Sequence, residues 1–166
     1  MKRISAPFGS KGSRPRTGTV IARWLVVAAI AWPVLLGATL WMGVRGVAPA
    51  WTSSVYAACS RICHQKTERS FHLDGVAWPV CARCSGLYAA APFGALVAWR
   101  RRRVPLRSWR RALVVACVPT AVTLAVEWSG LSPLSNVIRA VSALPAGALI
   151  AAVLVGTARG ASEPIE

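Results

Sequence analysis

Six side chains able to hold a soft metal ion or to exchange electrons crowd into residues 59–84: Cys59, Cys63, His64, His72, Cys81 and Cys84. The chain has only one more cysteine, Cys117, and no other histidine. Thiolate and imidazole together suit tetrahedral zinc, and the C-x-x-C spacing of Cys81 and Cys84 lets two sulfurs share one ion. The 17 residues between Cys63 and Cys81 resemble the intervals of structural zinc modules. On spacing alone the fourth ligand is His64, His72 or Cys59.

Two other chemistries use the same residues. Arg83 lies between the C-x-x-C thiols, an electropositive setting that favours thiolate. In an oxidising compartment four cysteines can also form disulfides. That arrangement fits a membrane thiol–disulfide oxidoreductase working through Cys81 and Cys84, with a quinone or a partner thiol protein as electron acceptor. The run Cys59-Ser60-Arg61-Ile62-Cys63-His64 is one residue too long for the C-x-x-C-H haem attachment motif, which argues against haem. A non-catalytic reading is that the cysteines only staple down a segment too small to build its own core, leaving a membrane scaffold.

The rest of the chain must position this cluster. A net charge of +15 from 20 basic and 5 acidic residues points to an anionic partner, but 55% hydrophobic residues point to a bilayer. The distribution decides between them. Spans are expected at about 24–44, 82–99, 112–128 and 137–158, each near the length that crosses a hydrocarbon core. Basic residues collect before the first (Lys2, Arg3, Lys11, Arg14, Arg16, Arg23), between the second and third (Arg100–Arg103, Arg107, Arg110, Arg111) and after the fourth (Arg159). The connection 129–136 has none. The positive-inside rule then puts both termini in the cytoplasm and the Cys/His segment 51–86 on the outer face of the cell membrane. A basic block wedged between two apolar helices is a topology signal rather than a nucleic-acid footprint, so the expected partner is the lipid bilayer. The first apolar run is too long, and its polar leader too long, for a cleaved signal peptide.

The expected architecture is all-α: a four-helix integral membrane bundle, one domain over 20–158, with a small Cys/His-rich outer cap. A basic, Ser/Gly/Pro-rich leader (1–19) and the tail (159–166) read as disordered. In the cap, Thr52 or Ser53 begins a short helix running to about Gln65, with Cys59 and Cys63 on one face. Asp74-Gly75 between Phe71-His72-Leu73 and Val76-Ala77-Trp78 is a two-residue hairpin signal. Cys117, mid-span, reads as a buried small apolar residue. Arg83, Glu127 and Arg139 fall at the same depth, at the outer ends of three spans. Ionisable groups there are costly alone, so Glu127 is expected to pair with Arg139, Arg83 or both. Ser135-Asn136 supplies the cap of the last helix.

These residues also carry a resemblance. Cys63-His64-Gln65, Arg69-Ser70-Phe71 and Cys81-Ala82-Arg83-Cys84-Ser85-Gly86 resemble the signature C-H-Q…R-S-F…C-x-R-C-x-G of a family of uncharacterised small multi-pass membrane proteins, a domain of unknown function in bacteria and archaea. The likeness covers residues 56–90, with an echo in Glu127 (where members carry Asp) and Asn136-x-x-Arg139. It implies an integral membrane protein with an important Cys/His cluster and no established reaction. Because Cys59 and His72 lie outside the signature, it implies Cys63, His64, Cys81 and Cys84 as the ligand set.

Overall fold

A computed structural model describes residues 16–100 and 106–160. The basic leader up to residue 15, the core of the Arg-rich connection and the last six residues lie outside the described part. Five α-helices dominate: α1 (Arg16–Val44), α2 (Pro49–Cys59), α3 (Ala82–Arg100), α4 (Leu106–Trp128) and α5 (Asn136–Gly160). Between α2 and α3 come a single 3-10 turn (Thr67–Arg69) and a two-stranded antiparallel hairpin, β1 (His72–Leu73) and β2 (Val76–Ala77). The fold is therefore mostly helical with a small sheet.

Among the described residues, three helices are long and apolar enough to cross a membrane: Thr17–Val44, Trp109–Trp128 and Asn136–Gly160. The expected second span is a helix of 19 residues, about 28 Å at 1.5 Å per residue, but it is not among the three. The reason lies in its composition. α3 buries Ala82, Gly86, Ala90, Gly94, Ala95 and Ala98, small side chains that add little hydropathy and let a neighbouring backbone come close. α5 meets it with Ala143, Ala146, Gly147, Ala151 and Ala152. A Cβ on Gly86 would stand 2.0 Å from the Ala140 carbonyl oxygen, and one on Gly94 1.7 Å from that of Ala148. Arg83 and Arg100, near its two ends, lower the mean hydropathy of α3 further.

α1 and α4 flank this pair. α1 closes one side through Ala22 near one end and Leu36 near the other. α4 is peripheral and packs chiefly on α5, where the Thr120 hydroxyl donates to the Ser142 carbonyl at 2.9 Å and the Thr123 and Ser142 hydroxyls lie 3.2 Å apart. Its outer face (Val114, Val115, Val118, Val122) is exposed. Cys117 sits on that face and is exposed, against the expectation of burial; a uniformly apolar helix gives no period from which to tell its inner side. Each long helix also holds one internal proline, Pro33, Pro92, Pro119 or Pro145. Prolines are tolerated in spanning helices because neighbours satisfy the freed backbone groups.

Other boundaries also differ from expectation. α1 begins at Arg16, inside the stretch expected to be disordered. α2 starts at Pro49 rather than at Thr52 or Ser53, and ends at Cys59 rather than Gln65. Its N-cap is Ala48 in the left-handed region (φ 50) with no side-chain cap, and Pro49 supplies a preset φ at the first helical position. Thr52 turns inward instead, its hydroxyl bonding the Ala48 carbonyl. The hairpin and the α5 cap match expectation. Asp74 (φ 48) and Gly75 (φ 80) both take the positive φ of a type I′ turn, and the Ile138 N–H bonds Ser135 Oγ at 3.3 Å.

Candidate metal centre

The cap is tied to the helix ends by backbone-directed bonds, and these place the thiols. After α2 the chain makes one more turn, in which the Cys63 N–H bonds the Cys59 carbonyl at 2.9 Å. Gln65 then adopts φ 46, rare for a residue with a Cβ. Its side-chain amide donates to the carbonyls of Tyr56 (2.9 Å) and Pro79 (2.7 Å). One side chain thereby holds the end of α2 against the strand that leads to Cys81. The Tyr56 hydroxyl donates to the Ala77 carbonyl, and the Trp78 N–H to that of Phe71 at 2.7 Å, closing the hairpin onto α2. Sequence reasoning assigned Gln65 no role; its place directly after Cys63-His64 was the available signal. Gln65→Leu is expected to leave both carbonyls unanswered and to loosen the cap, read as faster backbone hydrogen exchange over residues 60–80 with the long helices still protected.

The result is a convergence of Cys63, Cys81 and Cys84, whose sulfurs all lie within 4.8 Å of one another. A tetrahedral zinc with bonds of about 2.3 Å needs sulfur–sulfur edges of about 3.8 Å, a small contraction from this spacing. Cys63 Sγ already accepts a hydrogen bond from the Cys81 N–H at 3.1 Å. Cys63 and Cys81 are buried and Cys84 is half-buried. The Cys84 thiol hydrogen-bonds Cys81 and, against the opposing effect of burial, brings the Cys81 thiol down to about 5, which favours its thiolate. Burial pushes Cys59 the other way, above the usual thiol range.

None of the remaining candidates, His64 included, joins the three-sulfur group. His64 is exposed, with Nδ1 3.8 Å from Cys63 Sγ. Cys59 is fully buried in the apolar cluster that also holds Cys63 and Cys81, with Leu36, Val55 and Val80, but it is not one of the three converging sulfurs. His72 is exposed on β1 and is not brought to the sulfurs.

Beside the thiols, the expected charge pairing is made twice over. Glu127 on α4 accepts from Arg83 Nη2 through Oε2 at 2.8 Å and from Arg139 Nε through Oε1 at 2.5 Å. All three side chains are largely buried, at 14%, 11% and 5% exposure for Arg83, Arg139 and Glu127. Arg139 Nη1 continues to Asn136 Oδ1 at 2.6 Å, and Asn136 Nδ2 to the Ser70 carbonyl at 2.9 Å. One polar chain thus links α3, α4, α5 and the cap. Arg83 enters it from between the two C-x-x-C cysteines.

An "Uncharacterized protein" from Methanothermobacter thermautotrophicus is 34% identical over 89 residues, covering 52% of this chain and 78% of its own length. "Uncharacterized protein MJ1492" from Methanocaldococcus jannaschii is 33% identical over 98 residues, covering 56% of this chain and 61% of its own. No solved structure matches. The family described as "Predicted membrane protein (DUF2085)" matches residues 63–153. That stretch opens at Cys63, takes in both C-x-x-C thiols and all three members of the Glu127 bridge, and leaves out Cys59. With more than half of its length matched from the first converging sulfur onward, this chain is a member of the DUF2085 family of membrane proteins.

Proposed function

We propose that Cys63, Cys81 and Cys84 bind one divalent metal ion, zinc by the chemistry of the ligands, with His64 as the fourth ligand, and that this ion fastens the cap to the outer end of a four-span bundle. The observation that carries the reading is the approach of three sulfurs from two distant parts of the chain. Orientation follows from the positive-inside rule, with α3 as the fourth crossing and both termini in the cytoplasm of a cell-membrane protein.

Charge balance supports both the valence and the choice of His64. Three thiolates and a divalent ion leave one negative charge, and two arginines with one glutamate leave one positive charge nearby. A fourth thiolate from Cys59 would add a second negative charge in a poorly solvated place, where uncompensated charge is expensive. A monovalent ion would do the same. Arg83, Glu127 and Arg139 therefore act as the countercharge and orienting layer beneath the ligands.

Purified protein is expected to carry about one zinc per chain by elemental analysis. Cys81→Ser and Cys84→Ser should each reduce occupancy at least tenfold, and His64→Ala should weaken affinity roughly 10- to 100-fold while leaving the thiols converged. Cys59→Ala should leave the stoichiometry unchanged. Thiol labelling should rise with chelator and not with reductant. Labelling that rises with reductant alone would sink the metal reading and favour the thiol–disulfide oxidoreductase built on Cys81 and Cys84.

A further inference from the structure

The end of the bundle away from the cap gathers around one core cluster. Ala22 of α1, Ala95 and Ala98 of α3, and Ala151, Ala152 and Val155 of α5 form it, and Trp99 of α3, Trp109 of α4 and Ala158 of α5 pack against it. All four long helices therefore meet at this level. In each of them a residue of this group is followed directly by an arginine: Ala22-Arg23, Trp99-Arg100, Trp109-Arg110 and Ala158-Arg159. The four arginines thus ring one end of the bundle, one from each helix. Tryptophans at the same level belong to the headgroup zone of a bilayer.

The ring's charge has no acid to neutralise it. The five acids of the chain are Glu68 and Asp74 in the cap, Glu127 at the far end of α4, and Glu163 and Glu166 in the tail beyond the described residues. At the cap end Arg83 and Arg139 share Glu127. Here Arg23, Arg100 and Arg110 are exposed, and their guanidinium groups make no hydrogen bond or ion pair among the described residues. The fourth member is fixed in place. Arg159 Nη1 donates to the carbonyls of Ala98 at 3.2 Å and Trp99 at 2.5 Å, and its guanidinium lies 5.0 Å from the centre of the Trp99 ring. Those bonds answer two of the open carbonyls at the end of α3 and fasten α5 to it.

Each exposed arginine also has an exposed apolar side chain one helical turn nearer the middle of its helix: Val27 with Arg23, Leu96 with Arg100 and Val114 with Arg110. Orientation by basic loops asks for no such level ring and no such pairing of charge with apolar surface. A partner that presents phosphate and hydrocarbon together satisfies both. We propose that the arginine ring binds anionic phospholipid, its guanidinium groups taking the phosphodiester oxygens while acyl chains run down past Val27, Leu96 and Val114. A zwitterionic headgroup brings its own ammonium group, which the ring repels. Several uncompensated charges on one ring favour a headgroup with two phosphodiesters, as in cardiolipin. The proposal rests on the four-span placement and is independent of the metal.

The test offers the full-length protein, in a non-ionic detergent, equal amounts of cardiolipin, phosphatidylglycerol and phosphatidylcholine, and reads the lipid retained by native mass spectrometry. Retention should fall in that order, with cardiolipin at least tenfold above phosphatidylcholine. Arg23→Gln and Arg110→Gln each remove an exposed guanidinium that makes no contact within the fold, and each should weaken cardiolipin retention about fivefold. Arg110→Lys keeps the charge but loses the planar fork, and should fall between. Arg45→Gln and Arg61→Gln take the same charge from exposed positions at the cap end and should leave retention unchanged. Phosphatidylcholine retained as well as cardiolipin overturns the proposal. So does an equal loss in the cap-end variants, which would trace binding to the net charge of the chain. Displacement of cardiolipin by inorganic phosphate or by a DNA duplex also overturns it, by identifying a site for free anions or for nucleic acid.

Discussion

Glu127→Ala is expected to leave little folded protein in detergent, measured as loss of the monodisperse size-exclusion peak and of the cooperative thermal transition. The carboxylate is 5% exposed and is the shared acceptor of Arg83 and Arg139. Removing it strands two guanidinium groups in a poorly solvated place. Breaking one buried pair costs about 3–5 kcal/mol, because the surviving charge has no compensation. Here two charges survive, and Arg83 Nε is already buried without a partner. Glu127→Asp keeps the charge but has a shorter reach, and should cost less. The decisive comparison is the triple variant Arg83→Met, Glu127→Leu, Arg139→Met. A well-packed apolar replacement of a buried ion cluster is commonly neutral or stabilising. Recovery of the thermal transition in the triple variant, with zinc affinity still reduced, would show that the bridge matters to the site by its charge and not only by holding the helices. Glu127→Ala behaving as wild type would end this account of the bridge.

That bridge was legible in the sequence because topology is a strong constraint. Once the basic loops set which ends of the helices lie together, three lone ionisable residues at the same depth have few other partners. The Asp74-Gly75 hairpin and the Ser135 cap were legible for a different reason, since turn and cap chemistry is written in two to four adjacent residues. The convergence of Cys63 with Cys81 and Cys84 was legible in residue type but not in detail. Spacing left Cys59, His64 and His72 open as fourth ligands, and none of the three joins the sulfur group. The start of α2 was misplaced because Ala48 in the left-handed region offers no side-chain oxygen to signal a cap, whereas Thr52 and Ser53 do. Cys117 was misplaced because a helix in lipid need not alternate polar and apolar faces, so the buried side of α4 does not show in its sequence.

The small residues of α3 lead to the second large effect. Gly94→Ala adds one methyl group, on a surface residue usually a mild change, yet here the new carbon would stand 1.7 Å from the Ala148 carbonyl oxygen and 2.5 Å from its carbon. The obstacle is backbone, so no side-chain rotation can relieve it, and α3 and α5 must move apart. Overpacking a close interface costs about 1–3 kcal/mol and more where nothing can yield. Separation also forfeits the neighbouring contacts, since Gly147 of α5 lies close against the Leu87 backbone, where an added carbon would stand 2.2 Å from its oxygen. A fall of about 4–12 degrees in thermal midpoint is expected for a chain of this size, from about 2–3 kcal/mol at about 2–4 degrees per kcal/mol. Gly156→Ala is the control, because its added carbon meets only the Trp109 ring at 3.6 Å, an ordinary contact. Gly86→Ala makes the argument specific to the site. It shares the backbone clash, at 2.0 Å from the Ala140 oxygen, but lies two residues after Cys84. Displacing α3 there pulls the Cys84 sulfur from the other two, so Gly86→Ala should lose zinc at temperatures where its helices remain folded by circular dichroism. Gly94→Ala, more than two turns farther along, should lose zinc only as it unfolds. If both variants shed metal in step with their helicity, the close packing of α3 on α5 stabilises the bundle without setting the geometry of the sulfurs.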